Sequence, residues 1–154
     1  MEHLNYFDSA EFYGEIKNGL KNGLGKLIMK NFNYHGQFHN GEVTGIGILE
    51  SFNNVTFAGT FFNGKLNGLG FIEYFTGLSM YGQFKNNVLH GEGKVCFADN
   101  SNGVPSYEGK FFNGFLVDRH KINIEIMNEI ENLKSIIRTQ KSRLENEDET
   151  TFNC

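Results

Sequence analysis

Several residue types are rare in this chain, and their scarcity excludes whole classes of protein. The 154 residues include no tryptophan, one proline and two cysteines. Two cysteines do not make the disulfide framework of a small secreted domain, so a reduced intracellular protein is the default. No apolar run approaches the roughly 20 residues of a spanning helix, and the N-terminus carries no signal-peptide pattern. We therefore expect a cytoplasmic protein.

Positive charge is also scarce and scattered. The chain carries 14 Lys and Arg against 18 Asp and Glu, a formal net charge of −4. Proteins that bind nucleic acids present a basic stripe or patch, because the phosphate backbone supplies most of the affinity. The composition therefore predicts no nucleic-acid partner.

Side chains that would support catalysis or metal binding are sparse. The segments Gly23–Lys26 and Gly91–Lys94 lack the spacing and the hydroxyl residue of a phosphate-binding loop, and each precedes a predicted strand rather than a helix. His35 and His39 point to the same side of one predicted strand, but no third metal ligand recurs near them. We predict no enzymatic activity, no cofactor and no metal site.

A signature of aromatic residues and glycines recurs down the chain. It has the form aromatic-x-Gly-x-aromatic-x-Asn-Gly-x-x-x-Gly-x-Gly, with some substitutions in each copy. The first glycines of the five copies, separated by 22, 23, 23 and 27 residues, are Gly14, Gly36, Gly59, Gly82 and Gly109. The fifth copy ends with Asp118 and His120 in place of the last two glycines. Self-similarity at a fixed period of this size predicts a repeat array.

Each copy of the signature predicts one β-hairpin. Its turn is Asn-Gly, or Asn86-Asn87 in the fourth copy, and both types favour the positive φ that tight hairpins need. Alternation along the first strand places aromatic, glycine and aromatic on one side, which we call the aromatic face. Gly36 lies between Tyr34 and Phe38 on that face, where we expect it to make room for a ring from the next hairpin. The predicted fold is mainly β, a single-layer twisted antiparallel sheet of consecutive hairpins with one C-terminal α-helix.

The two ends of the chain differ from the repeats. Residues 1–117 form the predicted array of about five units, with an N-terminal half-hairpin cap around Leu4 and Tyr6 and a longer loop at 98–106. Residues 118–146 are predicted to form an amphipathic helix, and 147–154 an acidic flexible tail. The apolar stripe of this helix consists of Ile126, Ile130, Leu133, Ile137 and Leu144.

The apolar stripe must be buried, and two arrangements would bury it. The helix either folds over the open sheet as a C-terminal cap or pairs with a second copy in a short coiled coil. Only about three heptads are present, fewer than a confident coiled coil needs. The cap is therefore the favoured interpretation, and it predicts a monomer.

The repeat signature resembles the MORN (membrane occupation and recognition nexus) repeat from about residue 4 to residue 117. The size of the chain, the irregular turn Phe97–Pro105 and the single C-terminal helix make it similar to the retinophilin family of short stand-alone MORN-repeat adaptors. This resemblance implies an adaptor that binds the tail of class III unconventional myosins in actin-based protrusions. Gln37, Thr60, Gln83 and Lys110 depart from the glutamate that MORN units often carry.

A peptide partner is expected to bind the aromatic face, because an exposed apolar surface of this size marks a binding site. The same rings also hold neighbouring hairpins together, which is the competing interpretation. The candidate partner-binding residues are Tyr34, Phe38, Phe57, Phe61, Phe84, Tyr107 and Phe111.

The alternative function is binding of phosphoinositides at a membrane surface, which needs clustered basic residues. Four lysines do occur in the first unit, but Glu11 and Glu15 are interleaved with them. The charge pattern therefore favours a protein partner over a lipid surface.

Overall fold

The computed structural model describes residues 2–5, 10–97 and 106–152. Its strands form one 11-stranded sheet in which each strand pairs with the next along the chain. The strands are β1 (Glu2–Asn5), β2 (Glu11–Lys17), β3 (Leu20–Ile28), β4 (Phe32–His39), β5 (Glu42–Ser51), β6 (Val55–Phe62), β7 (Lys65–Tyr74), β8 (Ser79–Lys85), β9 (Val88–Cys96), β10 (Ser106–Phe112) and β11 (Phe115–Arg119). One helix, α1 (Ile124–Phe152), follows the sheet. The predicted fold class, a mainly β chain of consecutive antiparallel hairpins with a C-terminal helix, is confirmed.

The hairpin turns have the backbone geometry that their sequences indicate. At the third turn Asn63 and Gly64 have φ of 48° and 79°. In the fourth, Asn86 and Asn87 have φ of 49° and 72°. The side-chain oxygen of Asn87 also accepts a hydrogen bond of 2.8 Å from the backbone N–H of Leu66, in the preceding hairpin. Asparagine therefore replaces glycine here without loss of the turn, and it links two units.

A continuous row of glycines crosses the sheet on the aromatic face. Each glycine of the row lies directly opposite the next one on the neighbouring strand, from β2 to β10. The row consists of Gly14, Gly25, Gly36, Gly47, Gly59, Gly70, Gly82, Gly93 and Gly109. It leaves a strip of bare backbone between two rows of apolar side chains.

Large side chains lie over this bare backbone. A Cβ added at Gly36 would meet the Tyr34 hydroxyl and the Cα of Gly47, and one added at Gly47 would meet three atoms of the Tyr34 ring end. The expectation that the ring comes from the next hairpin is wrong here, because Tyr34 belongs to the same hairpin as both glycines. The cause is the strand pleat, which places residues i and i+2 on one face so that the ring folds along its own strand. At Gly93 a ring of the next hairpin, Phe111, does approach.

The fifth hairpin closes in a different register. Gly36 pairs with Gly47 in the second hairpin, whereas Gly109 pairs with Arg119 rather than with residue 120. His120 instead donates a 2.8 Å hydrogen bond from its ring Nε2–H to the Glu92 carboxylate, and its backbone N–H donates to the Glu108 carbonyl. The substitutions at the end of the fifth copy therefore leave the hairpin intact and shift its pairing by one residue.

The helix boundaries differ from those predicted at both ends. Residues 118 and 119 belong to β11, so the segment that starts at 118 is not helical from its beginning. The helix starts after Asn123, whose side-chain oxygen accepts a hydrogen bond of 2.9 Å from the N–H of Glu125, as a helix N-cap does. It also includes residues 147–152, which were assigned to a flexible tail. The apolar stripe ends at Leu144, but a polar segment can extend an existing helix because each added residue gains a hydrogen bond.

Helix α1 packs on the sheet as a cap, on the face opposite the aromatic face. We call this the helix face; it carries His35, Ala58 and Phe71. Ile130 and Ile137 of α1 pack against Ala58 and Phe71 in one buried cluster. The helix lies across β3 to β8. The five stripe residues are buried or half-buried, whereas Ile124 at the start of the helix is 71% exposed.

Polar contacts fix the helix along the sheet. The Lys141 ammonium lies 2.7 Å from the Glu50 carboxylate of β5. The Lys134 ammonium lies 4.8 Å from the ring centroid of Tyr81 and 5.2 Å from that of Phe71, within cation–π range. These contacts join residues that are far apart in the chain, so the position of the helix depends on the assembled sheet.

The ring-over-glycine packing predicts a specific coupling between Gly47 and Tyr34. Gly47→Ala should lower the free energy of unfolding by about 1–3 kcal/mol, because the added methyl group collides with the ring. In a Tyr34→Ala background the same substitution should cost clearly less. Chemical denaturation of the two single variants and the double variant gives the coupling free energy. Strictly additive effects would contradict the proposed contact.

The cap also predicts a contrast between two isoleucines of α1. Ile130→Ala should destabilise the protein by about 2–5 kcal/mol, since it empties a fully buried site. Ile124→Ala, the same change at an exposed site of the same helix, should change stability by less than about 0.5 kcal/mol. Equal melting temperatures of the two variants would show that the helix does not depend on the sheet.

Candidate functional site

The structure separates the seven candidate binding residues into two groups by burial. Five are at most 4% exposed: Tyr34, Phe38, Phe61, Phe84 and Phe111. Phe57 is half-buried, and Tyr107 is 39% exposed. Only these two therefore present ring surface that a partner could contact without rearrangement of the sheet.

The buried rings contact one another along the sheet. Tyr34 meets Phe38 and Phe61 edge to face, with ring centroids 5.2 Å and 5.5 Å apart. Its hydroxyl donates a 3.0 Å hydrogen bond to the backbone carbonyl of Gln37, and burial raises the pKa of the Tyr34 phenol well above its ordinary value. Edge-to-face pairs contribute about 0.5–1.5 kcal/mol beyond area burial. These rings hold neighbouring hairpins together.

The accessible part of the aromatic face is a row of mainly aliphatic side chains. Phe57 and Tyr107 of this row were predicted from the sequence, whereas its four aliphatic members were not. Cross-strand pairing joins these residues, through the buried Tyr34 and Ile72, into one line from β3 to β10. All are half-buried except the exposed Tyr107. We call this row the apolar strip; it consists of Leu27, Leu49, Phe57, Met80, Val95 and Tyr107. The strand register that the hairpin turns impose could have predicted the second-strand members of the strip. Each of them lies opposite an aromatic residue of a neighbouring first strand: Leu27 and Leu49 opposite Tyr34, and Val95 opposite Tyr107.

No other element of the described structure lies over the apolar strip. Helix α1 is on the opposite face, and β1 and β11 are the edges of the sheet. An apolar row of this length on an uncovered sheet face is an exposed patch of the kind that binds other molecules. The strip is therefore the candidate site on this face.

The helix face has a different character. Clefts of about 310 and 590 Å³ lie beside α1, the smaller apolar and lined by Leu69, Leu133 and Ile136. The larger is bordered by Gln37, the exposed His39 and Gln140. Both clefts are formed by the docking of the helix itself.

His35 is buried where the second half of α1 covers β4. Its side chain is 6% exposed, and neither ring nitrogen has a hydrogen-bond partner within the described residues. The nearest carboxylate is that of Glu145, 3.9 Å from Nε2. Burial, together with the Lys141 ammonium, lowers the pKa of His35 below its ordinary 6.5, against the opposing effect of the Glu145 carboxylate. The imidazole is therefore neutral beneath the helix at neutral pH.

Groups of three or more metal-binding side chains do not occur in residues 2–5, 10–97 and 106–152. Over the same ranges the chain contains no helix with the length and hydropathy that crossing a bilayer requires. His35 and His39, the histidine pair noted in the sequence, are divided between a buried and an exposed environment. The described residues of the candidate site therefore favour binding through apolar contacts.

The model of the MORN repeat matches residues 12–33, 34–55, 57–79 and 81–102, more than half of the chain. The chain belongs to the MORN-repeat family. The matched segments begin at residues 12, 34, 57 and 81, near the start of the first strand of each of the first four hairpins. The fifth hairpin, with its shifted register, follows the last match. MORN repeats are generally protein-binding or membrane-binding modules and are typically non-enzymatic. A search of curated proteins found no match.

The buried histidine predicts a pH dependence of stability in this MORN-repeat protein. Because the folded-state pKa of His35 is depressed, its neutral form contributes stability that is present above the unfolded pKa of 6.5 and is lost as the pH falls through the folded pKa. Between pH 7.5 and 5.5 the wild type should therefore lose more free energy of unfolding than His35→Leu. Chemical denaturation of both proteins at several pH values measures this difference. Parallel pH profiles would contradict it.

Proposed function

We propose that this MORN-repeat protein is a non-enzymatic adaptor that binds an extended peptide segment of a partner protein along the apolar strip. The observation that carries the proposal is the row from Leu27 to Tyr107, which crosses eight consecutive strands and is not covered by any element in the described part of the chain. The fold supports it, because a single-layer repeat sheet presents an extended surface to which a linear segment can bind.

The contacts available along the strip suit side-chain recognition. Phe57 and Met80 lie near its centre and are half-buried, so each offers a partner an apolar surface whose position the sheet already fixes. Methionine adapts to irregular partner surfaces, and an aromatic ring contributes a large contact area. Residues held in place lose little entropy on binding, which favours affinity. The strip is thus a preorganised site for a few apolar anchors.

The resemblance to the retinophilin family supports a more specific partner. In that case the bound segment is part of the tail of a class III unconventional myosin, and the protein acts in the cytoplasm at actin-based protrusions. The protein would act as a monomer, since α1 uses its apolar stripe on its own sheet. The alternative, binding to phosphoinositides at a membrane, has less support because the described residues of the aromatic face form no cluster of basic side chains.

The partner is tested with a recombinant class III myosin tail. Phe57→Ala should weaken its binding by about 2 kcal/mol, the usual cost of truncating a hot-spot ring, as measured by isothermal titration calorimetry. The matched control is Phe62→Ala. Phe62 lies on the same strand as Phe57, β6, but its side chain is on the helix face and is 59% exposed. It should leave the affinity unchanged.

The buried rings are unsuitable for this test. Phe61→Ala should cost about 3–5 kcal/mol of stability, so any loss of binding would reflect unfolding. If Phe57→Ala and Met80→Ala both stay folded and bind the tail like the wild type, the apolar strip is not the site. If the wild type does not bind the tail, the myosin is not the partner.

A further inference from the structure

Helix α1 is held to the sheet by different kinds of contact along its length. The proximal half, residues 124–137, packs through apolar side chains in one cluster with Ala58 and Phe71. The distal half, which we define as residues 138–151, contains one apolar residue, Leu144, and its side chain is buried. The docking of the distal half therefore depends much more on its polar contacts.

Several polar atoms at the distal contact are buried without a hydrogen-bond partner. Within the described residues such atoms are Asn33 Oδ1, both ring nitrogens of His35, and Gln140 Oε1. Asn33 and His35 lie on the helix face of β4, and Gln140 belongs to the distal half. Each atom has lost its hydrogen bonds to water without a replacement, which weakens a contact that few apolar side chains support. The distal half is thus the less firmly docked part of the helix.

His35 is the group at this contact whose charge can change near neutral pH. The distal half presents two charged groups to it, the Glu145 carboxylate, 3.9 Å from Nε2, and the Lys141 ammonium. The neighbouring strands present Lys26 of β3, which pairs with His35 across the sheet, and Glu50 of β5. Glu50 itself pairs with Lys141 at 2.7 Å. Burial therefore remains the largest influence on His35, and it lowers the pKa of the ring.

Protonation of His35 opposes the docking of the distal half. It would place a positive charge on a ring that is 6% exposed and whose nitrogens have no hydrogen-bond acceptor among the described residues. Separation of the distal half from the sheet returns the ring to water, where mildly acidic pH protonates it. Because the separated state binds the proton more tightly, acid favours separation. The proximal half contains no histidine and packs through apolar side chains, so this effect is confined to the distal half.

We propose that the distal half of α1 is a pH-responsive flap, which covers β3 to β5 at neutral pH and separates from the sheet when His35 is protonated, while the proximal half stays docked. The separated flap exposes Leu144 and part of the helix face, including Leu24 beside the larger cleft. The apolar strip lies on the other face of the sheet, so the flap does not depend on peptide binding.

Hydrogen exchange of the full-length protein, measured by mass spectrometry and corrected for the intrinsic effect of pH, tests the flap. A separated distal half should fray, since a polar helix without tertiary contacts is marginal in water. Amide protection within 138–146 should therefore fall by up to about tenfold between pH 7.5 and 5.5, the limit that linkage to one imidazole sets.

Urea distinguishes the flap from unfolding of the whole protein. At each pH the amides of 138–146 should be less protected than those of 126–137, because a local opening needs less free energy than global unfolding. Low concentrations of urea should leave the distal protection nearly unchanged, since the flap exposes little surface when it opens. The proximal protection should fall steeply with urea.

The variants assign the effect to one histidine. His35→Leu cannot be protonated and should abolish the pH response of the distal amides. The matched control is His39→Leu, which removes the exposed histidine on the same face of the same strand and should keep the full response. His35→Lys places a positive charge at the site and should lower distal protection at both pH values. Circular dichroism melts check that every variant is folded.

Three results would overturn the proposal. If the distal and proximal amides share one protection and one urea dependence, only global unfolding occurs. If the distal amides are already unprotected at pH 7.5, the distal half is not docked at neutral pH. If His35→Leu responds to pH as the wild type does, another group drives the separation.

Discussion

The packing of large side chains over the glycine row is the constraint on which the rest of this structure depends. Where Gly36 and Gly47 lie opposite each other, two strands present bare backbone, and the Tyr34 ring occupies the space that their Cβ atoms would fill. The same arrangement lets a single sheet bury rings on one face with no second layer. It also specifies the register, because a slip by one residue would exchange the two faces of a strand. The row of glycines thus converts a series of marginal hairpins into one sheet.

The two faces of the sheet consequently have separate roles. On the helix face, α1 buries the apolar residues around Ala58 and Phe71, and the Glu50 carboxylate of β5 pairs with Lys141 of the helix. On the aromatic face the buried rings stabilise the fold, and the half-buried side chains of the apolar strip remain accessible to a partner. A bound segment would therefore add a layer to the face that no described element covers, without displacing the helix.

Much of the fold could be predicted from short segments, whereas the site could be predicted only in part. Asn63-Gly64 specifies its own turn, and alternation specifies the faces of each strand, since both depend on neighbouring residues. The same alternation selected Phe61 and Phe57 alike as candidate anchors. The structure shows one at 2% exposed and the other half-buried, a difference that comes from packing against other strands. Leu49 was overlooked because it lies on a second strand, and Met80 because it is not a ring, although it occupies an aromatic position of the signature.

By itself, the amino-acid sequence determined the number of complete hairpins, their turns and the presence of an amphipathic helix, because φ preferences and side-chain periodicity are properties of a few adjacent residues. Only the tertiary structure decided which face the helix covers and which rings remain accessible. Lys141 and Glu50, which fix the helix to the sheet, are 91 residues apart in the chain. No local sequence pattern specifies a pair so far apart. Both faces of the sheet carry apolar residues against which the helix stripe could pack, and the two faces differ only once the sheet has assembled.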